Sequence, residues 1–394
     1  MIPTKLFKDF VESERSGGIA LVCFTFLALI VANSPFADTY FHWMHHHVAG
    51  MSIEHWVNDG LMTVFFLLVG LELEREIYIG ELRSFRDALL PICAAVGGMV
   101  VPAAIHLSLT YGTEGQRGAG IPMATDIAFS LGVLSLVSNR VPFALKVFLT
   151  ALAIADDLGA VMVIAIFYTK SIAYGYLAGA IGVFLGLCLL NRLNVNSVWI
   201  YLVGGVAMWY CMVHSGVHAT LAGVLLAFAL PFRDGGKNSP SYSLQHTLHR
   251  PVAFGILPLF AIVNTGIPIG SDWLEGLSQP NSLGIFLGLV IGKPAGILAF
   301  SFFAVHFKAC SLPSDLRWSH VAGASMLAGI GFTMSIFVSI LAFDDPKLVN
   351  FSQIMVLIAS VVAAILGVVW FAMFVPQNPV SQSPVSQSPA ESDE

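Results

Sequence analysis

Runs of about twenty apolar residues recur from Gly17 almost to Val375, and this repetition constrains the fold more than any other feature. A hydrocarbon core about 30 Å thick is crossed by about twenty helical residues. Inside it, backbone N–H and C=O groups must bond within the segment, which favours helices for a chain of this pattern. With 56% hydrophobic and only 11% charged positions, against about 25% charged in soluble domains, the chain reads as an all-α polytopic membrane protein. Twelve spans are predicted: 17–33, 57–78, 89–110, 121–138, 143–168, 173–190, 197–211, 216–230, 248–268, 283–305, 320–343 and 350–375. They form one transmembrane domain over residues 1–375.

Lysine and arginine in the connections set the orientation. Fourteen of the eighteen fall at the N-terminus or in even-numbered connections, among them Arg83, Arg140, Arg192 and Arg317. Three fall in odd-numbered connections (Arg117, Lys170 and Lys347), and Lys293 lies inside a span. Both termini are therefore expected in the cytoplasm. Ala32-Asn33-Ser34 vaguely resembles a signal cleavage site, but Asp9, Glu12 and Glu14 occupy what should be a basic region, so the first helix is expected to be retained. The tail over 376–394, rich in Pro and Ser and repeating V-S-Q-S-P, is expected to be disordered and cytoplasmic. The five cysteines are scattered without C-x-x-C spacing and read as small core residues. His42, His45, His46 and His47 cluster between the first two spans with no Cys or paired acids beside them. An exposed loop or short hairpin is expected there rather than a metal site. The net charge of −6 is dominated by loops and tail, and no basic field for nucleic acid exists.

Four charges break the apolar rule at one depth. Asp126 is ninth of the twenty residues from Gly118 to Val137, and Asp156 and Asp157 are tenth and eleventh of the 22 from Val147 to Tyr168. Lys293 is eleventh of the 23 from Leu283 to Val305. Each would cost about 2.5–3.5 kcal/mol facing lipid, so together about 10–14 kcal/mol, comparable with the whole stability of a domain. They must face one another or a water-filled cavity. One aspartate with Lys293 could be an inert ion pair; two further aspartates are then left over. Adjacent helical residues point about 100° apart, so Asp156 and Asp157 occupy different surroundings. One can pair with Lys293 while the other faces the cavity. Desolvation and a neighbouring acid both favour the protonated form of a carboxyl group, which brings it within reach of proton exchange. Carboxylate and hydroxyl oxygens also suit a small hard cation, and Thr125 offers one more oxygen.

Pro122 and Gly132 flank Asp126 in the fourth span, and Gly329 and Gly331 interrupt the eleventh. The echo of "TDIAF" in "TMSIF", at Thr125 and Thr333, points to spans 3–5 and 10–12 as inverted-topology repeats with discontinuous helices at 4 and 11.

Six separated motifs, "FFLLVGLELERE", "ATDIAF", "ALAIADDLGA", "SGVHATLAG", "IGKPAGI" and "GIGFTMSIF", together resemble the NhaA family of bacterial sodium/proton antiporters over about residues 5 to 375. The resemblance implies twelve helices with crossed, unwound segments at spans 4 and 11. It implies that Asp157 and Asp126 bind Na+ or protons and that Asp156 pairs with Lys293. It implies a multi-pass protein of the bacterial inner membrane and a homodimer contact through the loop between spans 1 and 2. Further implications are electrogenic export of Na+, with Li+ as a second cargo, against entering protons, and activation by alkaline pH in sodium and pH homeostasis. Na+, Li+ and H+ are cargo, and no cofactor is expected. Glu72, Glu76, Arg75, His246, His249 and Arg250 match or adjoin the family's pH-sensing mouth, whereas Gln245 stands where well-known relatives are acidic. His218 is expected to pack or hydrogen-bond near a helix start.

Other classes fit less. An intramembrane aspartyl protease needs a G-x-G-D motif, absent from the sequence, and has no use for Lys293. A symporter of an organic acid needs an intramembrane arginine, also absent, and a passive channel needs no titratable ligands at its narrowest point.

Overall fold

The computed structural model of the chain describes residues 5–80, 83–137, 140–169, 172–236, 239–270 and 273–376, and for 5–15 and 85–87 the backbone alone. The tail expected to be disordered lies outside the described residues from 377 onward, as do Lys170 and Lys237. Apart from one two-stranded hairpin, the regular structure of the described residues is helical. The first helix, Lys5–Ala32, starts a dozen residues before the apolar run. Ala37–Met44 then turns 115° away from it. The histidine-rich stretch folds into the hairpin, with His47 opposite Ser52 and Val48 opposite Met51. Ala49 and Gly50 both have positive φ, 52° and 87°, the conformation that a two-residue turn of this hand requires. Among the described residues no group of three or more His, Cys, Asp or Glu is placed to hold a metal.

Among the described residues eight helices are long and apolar enough to cross a bilayer, or up to eleven if each of three bent pairs counts as one span. The eighth predicted span differs from expectation. Its helix runs only Leu221–Ala229, nine residues rising about 14 Å, because Ala219 and Thr220 form a turn before it. His218 Nε2 lies 3.1 Å from the carbonyl of Tyr168.

The surface is apolar and the centre carries the charge. Phe26, Ile30, Trp199, Val203 and Ile365 are exposed, whereas Asp126, Asp156, Asp157 and Lys293 are no more than 2% exposed. That inversion fits a lipid solvent. It also corrects the expectation for the cysteines: Cys23 is exposed and the other four are half-buried. In lipid a small apolar side chain gains little from being inside.

Two packed clusters make up the interior. One joins the second, sixth, seventh and eighth segments through Leu71, Leu187, Tyr201, Met208 and Leu226. The larger one includes Leu21, Ala94, Leu131, Leu152, Phe260, Ile297, Leu327 and Val356, and it encloses the buried charges. The third and tenth segments meet at Gly97 and Gly296, where a Cβ on either would overlap the other's backbone. Association in lipid depends on such close approach.

Candidate functional site

Two broken helices build the centre. In the fourth segment, Gly115, Gly118, Gly120 and Pro122 yield a 3₁₀ helix, Glu114–Met123, not a stable α-helix. Ala124 and Asp126 are extended, and an α-helix resumes over Ile127–Leu136. In the eleventh, Trp318–Ala328 stops before Gly329, and Phe332–Ala342 restarts after Gly331. The bends are 48° and 45°. Each break exposes backbone groups that lipid tails cannot satisfy, and the other break supplies partners. Asp126 N donates to Ile330 O at 2.7 Å, Thr125 Oγ1 to Ala328 O at 3.0 Å and Ser335 Oγ to Ile121 O at 2.7 Å.

Asp126 lies at the junction. Its Oδ1 accepts from Phe129 N at 2.9 Å, capping its own half-helix. Its Oδ2 accepts from Thr333 N at 3.0 Å and Thr333 Oγ1 at 2.6 Å, capping the half-helix of the other segment. Two helix N-termini, each a partial positive charge, thus converge on one carboxylate. Asp126→Asn would turn an NH2 group against one of these sets of donors. We expect it to lower stability by about 1–3 kcal/mol as well as to impair any cation binding, measurable as the melting temperature in detergent.

The adjacent aspartates separate as helix geometry requires. Asp156 Oδ2 lies 3.0 Å from Lys293 Nζ and accepts from Thr125 Oγ1 at 2.7 Å. Lys293 Nζ also donates to the carbonyl of Met123, at the C-terminal end of the 3₁₀ half-helix, where a cation complements the helix end. Asp157 is 1% exposed, and its Oδ1 has no hydrogen-bond partner among the described residues. It lies within electrostatic reach of Asp156, Asp126, Lys293 and Glu72.

A local distortion aims the lysine. Gly288–Gly292 is a π-helical turn, and Lys293 N bonds Gly288 O, five residues back. Pro294 follows. Its ring would crowd a regular α-turn, and the wider turn relieves the crowding. The same device precedes Pro258, where Leu257 N bonds Val252 O.

A cavity of about 40 Å³ joins Asp126, Asp157 and Thr333 to Glu72 and His249, with Phe65, Leu68 and Leu257 among its apolar walls. At about 10–15 Å³ per water, it has room for a few waters or one partly hydrated ion. Of the residues expected at the mouth, Glu72 and His249 line this cavity, and Gln245 hydrogen-bonds Glu72. Arg75 instead stacks over Tyr242, 5.4 Å from its centroid, and His246 stacks on the same ring at 6.2 Å. Glu76 lies near Glu72.

Thr125, singled out from sequence for the cation, has its hydroxyl on Asp156 and Ala328; the hydroxyl beside Asp126 is that of Thr333. In the sequence Thr333 stands out only as the repeat partner of Thr125. The same echo could have identified it: if the breaks face each other, the threonine of one lies over the aspartate of the other. The Met123 carbonyl has no sequence signal.

Comparison with known proteins points the same way. Residues 8–371 match the family model described as Na+/H+ antiporter 1. The chain is 57% identical to Na(+)/H(+) antiporter NhaA 1 of Flavobacterium johnsoniae over 375 residues, covering 95% of this chain and 98% of that protein. It is 56% identical to Na(+)/H(+) antiporter NhaA of Cytophaga hutchinsonii over 370 residues, 94% and 96% of the two chains. Identity with Na(+)/H(+) antiporter NhaA of Dechloromonas aromatica is 57% over 375 residues, again 94% and 96%.

Proposed function

The chain belongs to the NhaA family of Na+/H+ antiporters, and from that premise we propose how its own residues exchange the two cations. It is a multi-pass membrane transporter of the bacterial inner membrane rather than an enzyme. The observation that carries the reading is Asp157: a buried carboxylate with an unpartnered oxygen, on the wall of a cavity it shares with Asp126. With few donors to hold it ionised, Asp157 takes up either a proton or a hard cation on the same lone pairs. Asp126 contributes a second charge, kept in place by two helix ends. Na+ arriving past Glu72 and His249 displaces protons from these oxygens, and protons arriving from the other side displace Na+. Both cargoes cannot occupy one set of lone pairs, and that competition is the exchange.

The finer reading has twelve crossings, the short eighth helix being completed by its flanking turn. Spans 3–5 and 10–12 are inverted repeats, both termini and the tail are cytoplasmic, and a homodimer forms through the hairpin between the first two spans. Exchange is electrogenic, because one Na+ displacing protons from two acids moves net charge. Li+ is a second cargo, and the roles are sodium export and cytoplasmic pH homeostasis. A pH-gradient assay in everted membrane vesicles, adding Na+, Li+ and K+ in turn, tests this. Na+ and Li+ should dissipate the gradient, K+ should not, and an imposed voltage should change the rate. No response to Na+ in vesicles that contain the protein would sink the reading.

Activity should fall as cytoplasmic pH drops, because protons compete for the shared carboxylates. His249 lines the cavity that the carboxylates share and His246 stacks beside it on Tyr242, so replacing both by alanine should move the pH profile without removing exchange. A flat parental profile between about pH 6 and 9 would count against a sensor at this mouth.

A further inference from the structure

A small hard cation is held by several oxygens, and Asp126 and Asp157 give only two side chains. The remaining hydroxyl candidates divide sharply. Thr125 is fully buried, its one proton lies between Asp156 Oδ2 and Ala328 O, and it is absent from the cavity wall. Thr333 is on that wall with both carboxylates. Its proton goes to Asp126 Oδ2 at 2.6 Å, and among the described residues no donor is directed at its lone pairs. A hydroxyl that donates to a carboxylate becomes a better acceptor through polarisation. Its backbone N–H holds Asp126 independently, so the side-chain oxygen is not needed merely to keep the two breaks together.

We propose that Thr333 supplies the hydroxyl oxygen of the cation site and helps set which monovalent cation is carried. This rests on the exchange reading above. Oxygens from three segments then meet at one point: Asp126 from the fourth, Asp157 from the fifth and Thr333 from the eleventh. A movement of either half-helix alters all the ligands together.

The test compares the parent with Thr333→Val, Thr333→Ser and Thr333→Cys in everted vesicles, reading the Na+ and Li+ concentrations for half-maximal exchange. Thr333→Val should raise the Na+ value about tenfold and change the Li+ to Na+ ratio. Its rate at saturating Na+ should stay within about threefold of the parent. Thr333→Ser should restore both readouts. A purely structural role would lower the maximal rate and leave the cation ratio unmoved, and that result overturns the proposal, as does a valine variant with parental half-saturation. If Thr333→Val fails to accumulate, serine against cysteine decides. Sulfur is a poor ligand for a hard cation, so cysteine must need more Na+ than serine, and equal values overturn the proposal. Absence of Na+-driven exchange in the parent itself would instead fault the exchange reading.

Discussion

Vesicles carrying Asp157→Asn are expected to show no Na+-driven proton movement, with the variant present in the membrane at parental level. Loss of one charge from a buried charge–charge contact amounts to about 3–5 kcal/mol, more than a hundredfold in apparent cation affinity. The structure makes a sharper statement than loss of function. Asp157 Oδ1 has no partner among the described residues, so asparagine forfeits no hydrogen bond there and removes one uncompensated buried charge. The melting temperature in detergent should therefore be unchanged or higher, while the upward shift that Na+ gives the parent should vanish. The contrast with Asp126 is diagnostic, because Asp126 accepts from donors on both oxygens and its asparagine variant should lose stability as well as transport. Near-normal exchange and an unchanged Na+ requirement in Asp157→Asn would remove it from the site.

The second large effect concerns the Asp156–Lys293 pair. Asp156→Asn alone leaves a fully buried ammonium with, among the described residues, only the Met123 carbonyl as an acceptor outside the variant side chain, and such stranded charges typically cost about 3–5 kcal/mol. Removing both charges with Asp156→Asn and Lys293→Gln should recover much of that loss. Thermal stability of the parent, both single variants and the double variant gives the coupling directly, and at 3.0 Å the losses should be far from additive. Additive losses would mean that the lysine finds its anion elsewhere, in Asp157 or Asp126. Because the lysine also binds the C-terminal carbonyl of the 3₁₀ half-helix, its single variants should loosen the fourth segment as well. Faster amide exchange over residues 121–126 would report that.

Much of this site is legible in the sequence because the bilayer leaves few choices. Charges at the middle of apolar runs are too costly to face lipid, so Asp126, Asp156, Asp157 and Lys293 identify themselves by position alone. Pro122 before Asp126 and the glycines Gly329 and Gly331 mark where helices stop, since neither residue type sustains a helix without help, whereas Gly132, expected to interrupt the fourth span, lies inside the helix Ile127–Leu136. Other expectations failed where the same code is ambiguous. An apolar run shows that a segment can lie in lipid but not how much of it is helical, so the eighth span, expected over 216–230, is helical only over Leu221–Ala229. Cysteine in an apolar run reads as core in water, whereas in lipid it sits as readily on the outside.

The sequence by itself thus determined the solvent, the helical class, the depth of the charges and the location of both breaks, because each follows from local composition against a slab of fixed thickness. Only the tertiary structure decided the partners. Asp156 meets Lys293 and Asp157 does not, because helix rotation and the π-turn before Pro294 aim the ammonium at one of two adjacent residues. Thr333 meets Asp126 across 207 residues, and Thr125, the immediate neighbour of Asp126, turns to Asp156 instead. Neighbours in sequence on an extended break point to opposite sides, and the oxygens that share a cavity are chosen by how two broken helices pack, which no local pattern records.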